Sequence, residues 1–205
     1  MEYLHDKWLR LWFFWIVAIA LGSPRTGNTI VEFLTSRIYV SYYSPLFILF
    51  FALFFLSSGG FSGIAQWLIL RNHLEISGWL WIFTTILESI ISIYLLDVDI
   101  ASSFAAFILY SGVIGLLIGS LQWLILRRRI NHAGWWIFIL IAGRMVSAVF
   151  VIVIVTLFRS TMFYIDLLSP LLYGALTGAG LIALLVQSSK EKMLAGFNGS
   201  TSQIQ

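Results

Sequence analysis

Six stretches of this sequence stay apolar for most of a bilayer's width, and all but one of the breaks between them are too short to hold a domain. They cover 8–22, 46–70, 79–96, 102–126, 135–158 and 167–186. A helix that crosses a membrane needs about 20 mostly apolar residues. In lipid every backbone N–H and C=O must be satisfied within the segment, which an α-helix achieves by itself. The stretches at 8–22 and 79–96 are short, so they predict helices near the membrane normal or longer by a turn. The expected fold class is all-α, a polytopic membrane helical bundle of six transmembrane helices. Composition agrees: 60% of the 205 residues are hydrophobic, 10% are charged and the net charge is +3. Soluble domains carry about 25% charged residues. A soluble enzyme, a disordered chain and a nucleic-acid binder are thereby excluded.

The whole of 1–187 reads as one transmembrane domain, and 188–205 as a polar cytoplasmic tail rich in Gly, Ser and Gln that is expected to be disordered. Glu2 and Asp6 precede the first apolar run and no Ala-x-Ala-like site follows it, so that run is expected to be a retained span rather than a cleaved signal. Cysteine is absent, which excludes disulfides, iron–sulfur ligation and a thiolate nucleophile.

The breaks at 71–78, 97–101, 127–134 and 159–166 force successive helices to run antiparallel. The longer connection at 23–45 contains Thr29 and Glu32 at capping-box spacing, with Ile30, Phe33, Leu34 and Ile38 at helical intervals. An interfacial helix and a plain loop both fit it. With six spans, Lys7, Arg10, Arg71, Arg127, Arg128, Arg129, Lys190 and Lys192 share one side, while Arg25, Arg37 and Arg159 lie on the other. The positive-inside rule then places both termini in the cytoplasm. All the tryptophans fall near inner helix ends, and every tyrosine except Tyr3 falls in the outer half, as ring anchors at headgroup depth should.

An internal repeat is visible. GIAQWLILRNHLEISGWLWIF at 63–83 aligns without a gap on GSLQWLILRRRINHAGWWIFI at 119–139. Gln66 to Arg71 is identical to Gln122 to Arg127, and Gly59 and Gly115 extend the match upstream. WLRLWFFW at 8–15 and Gly174, Gly178 and Gly180 look like eroded copies of the same unit. The expected organisation is three hairpin repeats, pairing spans one and two, three and four, five and six, about a pseudo-threefold axis along the membrane normal. The GxxQWLILR…GWW unit resembles that of a group of uncharacterised bacterial polytopic membrane proteins with repeated glycine-rich spans ending in Gln-Trp and Leu-Arg. The resemblance covers spans two to five and implies a topology, not an activity.

Gly59 and Gly63, Gly115 and Gly119, and Gly174 and Gly178 each place two glycines one turn apart on one helix face. Hydrocarbon gives helices no hydrophobic reason to associate, so small residues that admit close backbone contact serve instead. Gln66 and Gln122 extend two of these faces, where an amide can bond across helices or to headgroups. Arg127, Arg128 and Arg129 form a cationic rim suited to anionic lipid headgroups. Glu88 and Arg144 stand ten residues past Gly78 and Gly134, roughly 15 Å along their helices and near mid-membrane. A charge at that depth costs at least about 2.5–3.5 kcal/mol unless it is paired. An intramembrane Glu88–Arg144 ion pair is therefore expected, as a buried clamp or as part of a substrate or proton route.

Gly60-Phe61-Ser62-Gly63 matches the Gly-x-Ser-Gly of rhomboid intramembrane proteases, but that chemistry needs a histidine in a later span. His5, His73 and His132 all lie in cytoplasmic segments. No His-Glu-x-x-His or nucleotide-binding loop is present, and neither a metal nor a cofactor is implied. The expectation is a multi-pass, non-catalytic membrane protein, either a small transporter-like bundle or a membrane subunit. Its partners are the lipid bilayer and, for a subunit, other membrane proteins or further copies of itself; nucleic acid is not among them.

Overall fold

The computed structural model describes the backbone of residues 2–22, 45–94, 103–158 and 162–201, with side chains over most of that range. It is all-helical: α1 (Glu2–Leu21), α2 (Pro45–Leu70), α3 (Gly78–Tyr94), α4 (Phe104–Leu126), α5 (Trp135–Phe158) and α6 (Met162–Thr201). Among the described residues, three helices hold segments long and apolar enough to cross a membrane: Phe104–Leu126, Trp135–Ile154 and Leu168–Glu191. Gly78–Ser92 is apolar but shorter. The candidate interfacial helix at 29–38 lies outside the described residues.

Local chemistry sets the helix ends. Pro45 opens α2, where its missing N–H would be an orphan in any case. The Ser77 carbonyl accepts from Trp81 N at 3.2 Å to start α3, and the extended Ser103 does the same for Phe107 at α4. Hydroxyls within the apolar helices bond back to the preceding turn: Ser111 to Phe107 O, Ser120 to Leu116 O and Thr156 to Ile152 O. They need no outside partner to be tolerated there. Pro170 sits inside α6 and removes one helical hydrogen bond; the nearby Ser169 carbonyl accepts from Ser147 Oγ of α5 at 2.9 Å.

The last helix extends beyond its apolar part. The helix that carries the last apolar stretch does not stop near 187 but continues through the polar segment to Thr201. Lys190, Glu191, Lys192, Met193, Leu194 and Ala195 are all good helix formers, so an existing helix propagates through them without a new nucleus. Residues 202–205 lie outside the described residues.

Polar side chains are buried within an apolar core, and large apolar side chains cover much of the exterior. Ser62, Gln66, Thr84, Thr85, Ser89, Gln122, Ser147 and Thr177 are buried, while Phe13, Phe61, Phe83, Leu109, Phe138 and Leu157 lie on the outside. An apolar exterior, with the buried polar groups hydrogen-bonded inside, suits lipid as the solvent.

The glycine faces set the packing. A Cβ on Gly59 would stand 2.8 Å from Ile86 Cα of α3, one on Gly115 2.8 Å from Ile141 Cα of α5, and one on Gly174 3.0 Å from Ile16 Cα of α1. The close pairs are therefore α2 with α3, α4 with α5, and α6 with α1. The glycines sit on α2, α4 and α6, so each close pair joins one of these to the helix that follows it, and α6 returns to the start of the chain.

A direct consequence can be measured. Gly115→Val places methyl groups against the backbone of Ile141 and the Leu140 carbonyl, which cannot move aside as a side chain could. Overpacking of that kind costs roughly 1–3 kcal/mol. Thermal unfolding in mild detergent should show Gly115→Val melting well below the parent. Gly134→Ala, where nothing lies within 4 Å, should melt with it. Equal melting of Gly115→Val and the parent would mean that α4 and α5 do not pack through this face.

Candidate functional site

The two short turns after α2 and α4 position the interior. In the first, Leu74 N bonds to Leu70 O at 2.7 Å; in the second, Ile130 N bonds to Leu126 O at 3.0 Å. Leu74 and Ile130 are both buried and tuck each turn under the bundle. His132, at φ 59°, takes the left-handed conformation that reverses the chain into α5. Arg71 lies 5.4 Å over the Trp67 ring and Arg127 5.2 Å over the Trp123 ring. Arg127, Arg128 and Arg129 are all exposed on the second turn, and Arg129 bridges to Glu75 of the first turn at 3.1 Å.

Above these turns, three indoles meet. Trp15 of α1, Trp81 of α3 and Trp136 of α5 are 1%, 0% and 0% exposed. Their ring centroids are 6.3 Å (15–81), 6.2 Å (15–136) and 6.5 Å (81–136) apart, at tilted to edge-on angles. Indole is bulky enough that three rings fill the space between three helices, and each N–H must find an acceptor when buried. Trp81 Nε1 donates to Gln66 Oε1 at 3.0 Å, Trp136 Nε1 to Gln122 Oε1 at 2.9 Å and Trp15 Nε1 to Thr177 Oγ1 at 3.1 Å. The first of these continues: Gln66 Nε2 donates to Ser62 Oγ, and Ser62 Oγ donates to Ala18 O, both at 3.1 Å. One polar chain thus ties α3 to α2 and α2 to α1.

The third pair keeps the closure with different residues. Counting seven from the first glycine of each face gives Gln66, Gln122 and Leu181. Opposite Gln66 and Gln122 stand Trp81 and Trp136; opposite Leu181 the corresponding residue is Leu11, with both leucines buried. The indole has moved one turn along α1, to Trp15, and its acceptor one turn along α6, to Thr177.

Two turns beyond the indoles, Arg144 Nη2 of α5 pairs with the Glu88 carboxylate of α3. The Arg144 guanidinium also lies 4.6 Å over the Tyr173 ring of α6, so this one side chain joins three helices. Glu88 is 15% and Arg144 25% exposed. Their positions, however, are not equivalent. Gly59 and Gly115 are 56 residues apart, but the residues they meet, Ile86 and Ile141, are 55 apart. The second turn is effectively one residue shorter, so the counterpart of Glu88 is Gly143 and that of Arg144 is Ser89. Counting from Ile16 gives Ala18 as the third counterpart of Glu88. Glu88 therefore projects on the Trp81 face at a level where the other two pairs carry only Gly143 and Ala18. Arg144 approaches from the flank.

Comparison with family models, with curated proteins and with solved structures finds no match.

Ser62 has its hydroxyl proton on the Ala18 carbonyl and accepts from Gln66, so neither of its partners is a base that could activate it. His73 stacks on Trp8 with centroids 5.8 Å apart, and His132 Nε2 lies 3.4 Å from Glu191. The side chain of His5 is outside the described residues. Among the described residues, no three His, Cys, Asp or Glu side chains converge as metal ligands. The indole triad was not singled out by the sequence. Its only sequence signal is the pairing of each Gln-Trp with a Trp near the start of the next helix, and the one-residue difference in turn length hides that equivalence.

Proposed function

We propose that the chain is a six-span, non-catalytic membrane bundle of three close helix pairs about an approximate threefold axis, acting as a membrane subunit or scaffold. The observation that carries this reading is the closure of the axis by Trp15, Trp81 and Trp136, each hydrogen-bonded to the helix with which its own packs closely. A conduit needs an interior that water or substrate can enter, whereas these three rings pack against one another and are almost fully buried. The apolar exterior and the glycine faces that bring the helices together support the same reading. A transporter-like bundle is the second reading. It is favoured by the partial exposure of Glu88 and Arg144 beyond the seal, since intramembrane ions mark substrate routes by default.

Two measurements test this. Mild-detergent purification from native membranes should recover the chain with a stoichiometric membrane partner. Vesicles containing the purified protein should be no leakier to protons or small solutes than empty ones. Saturable uptake of a solute that is lost in Glu88→Gln would replace the scaffold by the transporter. The topology has its own test, made simple by the absence of cysteine. Single cysteines at Asn72, Asn131 and Lys190 should react with an impermeant maleimide only once the cytoplasmic face is opened, and one at Asp99 should react in intact cells. Labelling of Asn131→Cys and Asp99→Cys from the same side would overturn six spans.

A further inference from the structure

Between the first half of α1 and the end of α2 runs a groove of about 370 Å³, within the size range of small-molecule sites. Its lining is graded along the helix axis. At the turn end stand Asp6, Lys7, Asn72 and His73; Arg10 and Ile69 follow; Phe14 and Leu68 lie deepest. The step from Lys7 to Phe14 is seven residues, roughly 10 Å of helix. A phospholipid has the same gradient at the same depth, a phosphate above acyl chains. Arg10 makes no hydrogen bond or ion pair with another described residue, and Lys7 lies only over the Trp8 ring, at 5.7 Å. Burial first, and then the charge of Lys7, hold the His73 imidazole below its ordinary range, which favours the neutral ring. The fixed charge on the groove is thus Lys7 and Arg10 against Asp6, a net +1.

We infer that this groove binds one anionic phospholipid, its phosphate held by Lys7 and Arg10 and its acyl chain laid on Phe14 and Leu68. Asn72 and the His73 ring are polar neighbours for the remaining phosphate or glycerol oxygens. A zwitterionic lipid would bring a cation onto a rim that is already positive, whereas a net-anionic headgroup neutralises it. The site is separate from the Arg127 to Arg129 rim, where Arg127 and Arg129 already engage Trp123 and Glu75. It rests on the reading of the chain as a membrane protein.

The test uses the full chain in an uncharged detergent, with melting temperature followed during titration with phosphatidylglycerol, phosphatidylcholine or inorganic phosphate. Phosphatidylglycerol should raise the melting temperature saturably. Lys7→Gln/Arg10→Gln should need roughly 25-fold more of it, about fivefold for each basic residue. Lys190→Gln/Lys192→Gln, which removes the same charge elsewhere on that side, should titrate like the parent. Equal weakening in both double variants would reduce the effect to diffuse attraction and overturn the site. So would an equal response to phosphatidylcholine, or the full response to inorganic phosphate alone. Resistance of the protein to carbonate extraction from membranes reports on its membrane location independently, so failure of that reading is distinguishable from failure of the site.

Discussion

Trp136→Ala should be the most damaging substitution in this protein, lowering stability by about 3–5 kcal/mol, the usual range for emptying a buried indole. Two losses add. The ring is 0% exposed and touches the other two indoles, so its removal leaves a void on the axis that lipid cannot reach. Its N–H is also the partner of Gln122 Oε1, which is left in a dry interior. The two losses can be separated. Trp136→Phe keeps most of the volume and orphans only the amide, which should cost about 1–3 kcal/mol. Adding Gln122→Leu to Trp136→Phe should then recover much of that loss, because replacing both partners by apolar groups removes the unsatisfied acceptor. The third helix pair supplies the precedent, with Leu11 and Leu181 buried where the others carry Trp and Gln. Midpoints of denaturation in mixed micelles for the two single variants and the double would decide it. Strict additivity of Trp136→Phe and Gln122→Leu would mean that the hydrogen bond contributes nothing.

The residue pattern reached the helices easily and their neighbours less easily. Apolar length is a property of single segments, so α4 and α5 are legible from composition alone, as are the two tight turns with their Gly78 and Gly134. Glycine spacing identified which faces pack but not which helix each meets; that depends on α6 closing against α1, a contact between residues more than 150 positions apart, such as Trp15 and Thr177. The alignment at an offset of 56 holds through the Gln-Trp motif and fails by one residue beyond the second turn. On a helix one residue is a rotation of about 100°. Positions that looked equivalent by number, Glu88 and Arg144, are thus on different faces of their helices, and Trp81 and Trp136, which looked unrelated, are counterparts. At the polar end of α6, composition marks the absence of a core and not the absence of a helix already nucleated upstream.

The offset decides what the Glu88–Arg144 pair should do when it is altered. Glu88→Gln leaves Arg144 with the Tyr173 ring and no counter-charge, and Arg144→Gln leaves the Glu88 carboxylate without its counter-charge. Breaking a buried pair from one side costs about 3–5 kcal/mol, and the partial exposure of these groups puts the expectation at the lower end. The double variant Glu88→Gln/Arg144→Gln has no buried charge to strand and should recover most of either loss, because two amides can bond to each other in the same space. The charge swap tests the geometry. If the two positions were equivalent, Glu88→Arg/Arg144→Glu would restore the pair. With the two residues on different faces of their helices, the swap drives a guanidinium into a site sized for a carboxylate and moves the cation away from Tyr173, so it should remain destabilised. Recovery by the double amide without recovery by the swap identifies a directional clamp between α3 and α5. Normal stability of all four variants would remove the pair from any structural role and leave its charges free for a substrate or a proton.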